Sequence, residues 1–127
     1  MRSAASRAAS DDDGAATVEW TLVAALLTML FLAVLQIGFA MHVRTALVDA
    51  AAEGARLAGL EGADAADGAA RTEELIGLVL HPGYAERVEV VRGEQLVEVT
   101  VRAPLPLIGL VGFPEGIEVS AHAPVER

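Results

Sequence analysis

From Trp20 to Met41 the chain reads "WTLVAALLTMLFLAVLQIGFAM", without a charged residue. As an α-helix at about 1.5 Å per residue, these roughly 22 residues reach about 33 Å, enough to cross the hydrocarbon of a bilayer. Gathering so much of the apolar content into one block is not the distribution of an ordinary soluble domain. A transmembrane helix is expected here, with Gln36 as its one strongly polar side chain.

Outside this block the chain is acidic. The net charge is −9, lysine is absent, and nine arginines are spread singly, so no basic stripe is available to neutralise phosphates and nucleic acid is not an expected partner. The absence of cysteine excludes disulfides, iron–sulfur clusters and the usual structural zinc sites. His42, His81 and His122 are far apart and lack ligand spacing. No serine, histidine and acid arrangement, paired-carboxylate cleft or phosphate loop stands out. The chain is expected to be no enzyme and to hold no cofactor.

Residues 1–13, "MRSAASRAASDDD", offer nothing to bury and are expected to be disordered unless held. Beyond Met41 the helical pattern continues. Val43, Ala46, Leu47, Ala50, Gly54 and Leu57 share one face, while Arg44, Asp49, Glu53 and Arg56 lie largely off it. One helix of about 40 residues, about 60 Å long, accounts for both halves. Only the first half needs lipid. The small residues of the second allow close approach to another helix or a folded domain.

"GLEGADAADG", Gly59 to Gly68, reads as a loop. A short amphipathic helix follows in "AARTEELIGLVLHPG", with Leu75, Ile76, Val79 and Leu80 at helical spacing and a stop at Pro82-Gly83. The period then becomes two. Val88 and Val90 alternate with Arg87 and Glu89, then Val97, Val99 and Val101 with Glu98, Thr100 and Arg102, and Gly93-Glu94 supplies a two-residue turn between them. Ile117, Val119 and Ala121 repeat the alternation against Glu118, Ser120 and His122 in a third strand. The expected fold is α+β: a long N-terminal transmembrane helix, then a small head with one short helix and a three-stranded antiparallel sheet. Such a head buries little surface alone, and packing against the outer half of the long helix would complete its core.

The residues before the apolar run separate three kinds of membrane segment. A secretion signal would carry a positive flank and a small-residue cut after its core, for which "GFA" ending at Ala40 is available. Arg2 and Arg7 are instead outnumbered by Asp11, Asp12, Asp13 and Glu19, and the helical pattern runs through that point. On the other side, Gly14 is followed by four small or apolar residues, Ala15 to Val18, then by Glu19 and Trp20. This spacing resembles the prepilin processing motif, in which glycine ends the leader and glutamate is the fifth residue of the mature chain. In pilins of the Flp/Tad type an aromatic follows the glutamate, usually Tyr or Phe, where this chain has Trp20. The chemistry is intelligible: glycine fits a protease cleft in extended form, and a carboxylate opening an apolar helix needs a matching positive charge, which the new amine of Ala15 would supply.

Beyond that motif the chain resembles the TadE-like family of pilus-assembly proteins, particularly the short actinobacterial kind. The resemblance is strongest in "GAATVEWTLVAALLTMLFLAVLQIGFAMHVRTALVDAAAEGARLAG" and returns in "VEVTVRAPLPLIGLVGFPEGIEVSAHAPVER". It implies a minor pilin or pseudopilin of the tight-adherence system, with a leader over 1–14, an assembly helix over 15–60 and an extracytoplasmic head over 61–127. The implied partners are membrane lipid, a prepilin peptidase, other pilins and the Tad assembly platform. The implied sites are cleavage between Gly14 and Ala15, and assembly through Glu19 and Trp20. The resemblance also places the N-terminus in the cytoplasm, a choice that Arg2 and Arg7 against Arg44 and Arg56 barely make.

Two further sets of residues are candidates for contact. Gln36, Gly38, Ala50 and Gly54 could meet a partner helix. The apolar connection Pro104 to Pro114, with Leu105, Leu107, Ile108, Leu110 and Phe113, could meet the membrane surface or a neighbouring pilin, or lie buried under the sheet. The alternative to the pilin reading is an unprocessed single-pass anchor presenting a small binding head.

Overall fold

The computed structural model describes residues 2–104 and 116–127, with side chains from residue 12 onward. Its elements are helix α1 (Arg2–Gly59), helix α2 (Ala65–Val79), one 3₁₀ turn (Pro82–Tyr84), and strands β1 (Arg87–Arg92), β2 (Leu96–Ala103) and β3 (Ile117–Pro124). The strands form one antiparallel sheet in the order β1-β2-β3. This is the expected α+β layout. The chain divides after Ile37 into two compact units, the second being Gly38–Arg127.

In the first unit α1 is helical from Arg2, where residues 1–13 are expected to be disordered. Alanine and arginine, both good helix formers, make up most of the six residues from Arg2 to Arg7, so local propensity continues the helix upstream. The apolar window of α1 has no part buried. Its hydroxyls are satisfied locally: Thr21 Oγ1 donates to the Thr17 carbonyl at 2.8 Å, and Thr28 Oγ1 to the Ala24 carbonyl at 2.8 Å. These hydroxyls leave no donor for water to meet, as a helix in lipid requires.

The second unit is built on the outer half of α1. Val43, Leu47, Ala50, Ala51, Ala55 and Ala58 are buried in one core with Ile76 of α2 and with Val97, Val99, Val101, Ala103, Val119 and Ala123 of the sheet. The expected face holds for Val43, Leu47, Ala50 and Gly54; Ala51, Ala55 and Ala58 widen it, while Leu57 is only half-buried. Each fully buried Val, Leu or Ile stabilises this unit by about 1.5–3 kcal/mol. A wide alanine face brings α1 close enough for these larger side chains to reach it.

Two local readings are corrected. The segment Gly59 to Gly68 is not wholly a loop, because α2 begins at Ala65. Asp64 caps it: its Oδ1 accepts from the Asp67 N–H at 2.9 Å, and Asp67 Oδ2 accepts from the Asp64 N–H at 2.9 Å. This reciprocal box satisfies donors that would otherwise be orphaned at the helix start, and outweighs the glycines around it. At its other end α2 stops at Val79, three residues before Pro82.

The hairpin turn is also shifted by one residue. Arg92 pairs with Val97 and the Gly93 N–H donates to the Leu96 carbonyl at 2.8 Å, which leaves Glu94 and Gln95 at the tip. None of the described non-glycine residues has a positive φ, so this tip does not need glycine at its centre. Register follows the valines: Val88 faces Val101 and Val90 faces Val99, and the inward positions of β2 continue onto Val119, Ala121 and Ala123 of β3.

Asp64→Ala should destabilise the second unit by about 1 kcal/mol by removing the cap. Thermal unfolding followed by circular dichroism, with Asp64→Asn retaining most of the stability, checks this.

Candidate functional site

The sequence places its candidates along α1, and they fall into two environments. Gly14, Ala15, Glu19 and Trp20 lie on the exposed helix of the first unit, where Trp20 is 71% exposed. A Cβ built at Gly14 meets nothing within 4 Å. Thr17 Oγ1 donates to the Asp13 carbonyl at 2.8 Å, and the backbone on either side of the Gly14–Ala15 bond is helical. Glycine inside a helix costs about 1 kcal/mol relative to alanine, which makes Gly14 a weak point of this stretch.

Gln36 is half-buried on the same helix. Gly38 is exposed, and a Cβ there would meet open space. Neither the cleavage candidates nor Gly38 is covered by another element among the described residues.

Ala50 and Gly54 are different. Gly54 is buried against α2, where an added Cβ would collide with the Thr72 side chain and come within 2.7 Å of the Gly68 carbonyl. The contact is mutual, for a Cβ on Gly68 would lie 2.7 Å from the Ala58 Cβ and 2.8 Å from the Gly54 carbonyl. The two helices therefore touch backbone to backbone. Thr72, fully buried, turns its hydroxyl onto its own helix by donating to the Gly68 carbonyl at 2.8 Å. The structure places Gly54 in a helix contact within this chain, with α2 as the other helix, and buries Ala50 in the core.

Away from this crossing the helices diverge and leave an open groove of about 410 Å³. Ala46, Asp49 and Glu53 of α1 line one wall, and Arg71, Leu75 and Val79 of α2 the other. Arg71 donates to Glu74 at 3.0 Å on the solvent side. The outer face of the sheet is a lattice of charges. Arg102 Nε donates to Glu118 Oε2 at 2.5 Å, and Arg87 lies 3.6 Å from Glu89. The hydrogen bond to Glu118, and then its charge, hold the Arg102 pKa above the ordinary arginine value. These groups are exposed, so the lattice is a solvated face and contributes little to stability.

The histidines sit on separate elements. His42 is on α1, His81 accepts from the Gly83 N–H at 3.0 Å ahead of the 3₁₀ turn, and His122 on β3 is 3.5 Å from Glu98. Among the described residues no three His, Cys, Asp or Glu side chains come together as metal ligands would. Leu105, Leu107, Ile108, Leu110 and Phe113 lie outside the described residues.

A glycine–glutamate motif directly ahead of an exposed apolar run, both within one helix, is a specific arrangement, and comparison with known families bears on it. Residues 14–56 match the family model of the TadE-like protein. The matched segment begins at Gly14, takes in Glu19, Trp20 and the whole apolar run, and extends past Gly54 to residue 56. It covers the stretch where the sequence resemblance is strongest. No curated protein and no solved structure matches the chain at a significant level.

Asp64, Gly68 and Thr72 are the residues that sequence reasoning passed over. The signal for Asp64 was present, since acid-x-x-acid before an alanine-rich run is a capping pattern. Gly54→Leu should destabilise the second unit by about 1–3 kcal/mol through overpacking, whereas Gly38→Leu should leave its melting temperature unchanged. Parallel thermal melts of the two variants in detergent check the contrast.

Proposed function

We propose that the chain is a single-pass membrane precursor of the pilin or pseudopilin kind, cleaved after Gly14 by a prepilin peptidase and then assembled through α1 with other pilins on a Tad-type platform. The observation that carries this reading is the match of residues 14–56 to the TadE-like family, starting at the glycine of the motif. Exposure of the large side chains of the apolar run of α1 agrees with it.

The mechanism is assembly rather than catalysis. Before cleavage the helix is held in lipid, with an N-terminal extension carrying Asp11, Asp12 and Asp13. Unwinding at Gly14 lets the peptidase reach an extended backbone, and proteolysis removes the acids while creating an amine on Ala15. That amine can match the carboxylate of Glu19 in the same or a neighbouring subunit. A charge pair at the edge of the hydrocarbon contributes more than one in water, and it fixes the register between adjacent helices. Apolar packing along the span, with Trp20 near one end and the open surface at Gly38 near the other, supplies the remaining association. The head lies outside the cytoplasmic membrane and the N-terminus inside.

The alternative, an unprocessed anchor with a binding head, gives the opposite result at Gly14. Coexpressed with its prepilin peptidase and purified from membranes, the wild-type chain should begin at Ala15 by mass spectrometry, and Gly14→Ala should retain its leader. An intact leader on the wild-type chain contradicts the proposal. Glu19→Gln should still be inserted and cut, yet be recovered with partner pilins at a level reduced about tenfold, corresponding to about 1.4 kcal/mol; crosslinking followed by immunoblotting reads this.

A further inference from the structure

Beyond Met41, helix α1 presents three faces. At 3.6 residues per turn, Val43 and Leu47 lie along the one that enters the core, and Ala46, Asp49 and Glu53 along a second that walls the groove against α2. Met41, Arg44 and the half-buried Val48 lie along the third, about 140° round the helix from the groove. The second and third faces are accessible at Asp49 and Glu53 and at Met41 and Arg44, and their chemistry is complementary.

The groove has an apolar floor and an acidic rim. Ala46 and Ala50 reach no further than Cβ, which leaves room between α1 and the side chains of Leu75 and Val79. Asp49 and Glu53 stand exposed on the rim, one turn apart, and neither forms an ion pair among the described residues. Like charges at this spacing repel, so a cation set between them is favoured. Arg71, across the groove, is already bonded to Glu74 at 3.0 Å. On the third face Met41 is 65% exposed, and Arg44 is exposed and also forms no ion pair among the described residues. The chain thus carries an acid-rimmed apolar groove and, on a separate face of the same helix, an apolar side chain with an arginine one turn away.

We propose that the groove seats the third face of α1 from a second copy, with Met41 between Ala46 and Ala50 and Arg44 between Asp49 and Glu53. Methionine suits an irregular cleft, being unbranched and polarizable. Placing Arg44 level with the two acids offsets the copies by about five to nine residues, about 8–14 Å along the helix. The groove's shape sets the direction. It closes at the contact of Gly54 with Gly68 and opens toward His42, and only helices running the same way bring Met41 into the open part. Symmetric pairing would instead oppose acids to acids across two grooves, or Arg44 to Arg44. Because the two surfaces differ, each copy offers one of each, so the contact is head-to-tail and extends beyond two copies. It lies wholly in the second unit, Gly38–Arg127, and goes beyond helix packing along the apolar run.

The sequence holds no cysteine, so single cysteines report the contact. Full-length chains carrying Met41→Cys or Ala46→Cys would be mixed in detergent micelles and oxidised by copper phenanthroline. A disulfide between the two variants, in excess over either variant with itself, is the expected result. Arg44→Glu on the Met41→Cys chain should lower its yield about tenfold through like-charge repulsion, and Asp49→Arg with Glu53→Arg on the Ala46→Cys chain should restore it. Homotypic disulfides in excess mean that like faces meet, and overturn the inference. Absence of any disulfide, a mixed yield no greater than statistical, or one indifferent to Arg44→Glu overturns it as well. Met41 is exposed and Ala46 lies on the groove wall, so neither cysteine enters the core. The uncleaved chain is used, so failure here leaves cleavage after Gly14 to its own mass-spectrometric test.

Discussion

The backbone contact between Gly54 of α1 and Gly68 of α2 is the constraint on which the second unit depends. It sets the distance between the two helices, and that distance lets a sheet with only valines and alanines buried on its inner face close the core. Larger residues at the crossing would push α2 outward and leave Val97, Val99 and Val101 over a gap. Thr72 fits there because its hydroxyl is satisfied by its own helix, so a polar atom is buried without an orphaned hydrogen bond.

The same helix serves two solvents. Through the apolar run α1 exposes large side chains all round, as a lipid-facing helix does. From Val43 onward it narrows to a stripe of small residues and becomes the central element of a water-soluble core. No linker intervenes, since α1 is one helix as far as Gly59.

Much of this was legible in the sequence because period and composition change sharply. The span is announced by 22 uncharged positions, and the strands by valines alternating with charges. The start of α2 was obscured by glycines that normally mark loops; Gly68 is instead a contact residue, which depends on the helix facing it rather than on local propensity. The hairpin tip shifted by one residue because Gly93 is a partner of Leu96 and not a central turn residue. Gly54 stands in close approach to α2, and composition could not say which helix would meet it. The match to the TadE-like family covers residues 14–56, and the head beyond it had to be read mainly from pattern.

Native-state hydrogen exchange on the full-length chain in a bilayer tests most directly whether the outer half of α1 is part of the head's core. The amides of Ala50–Ala58, those of Thr72–Ile76 on α2 and those of Val97–Val101 on β2 should open together, with one free energy and one denaturant dependence, as members of a single cooperative unit do. If Ala50–Ala58 instead stay protected when the sheet and α2 have opened, α1 is an independent rod that carries a separate head, and a core shared between them is contradicted.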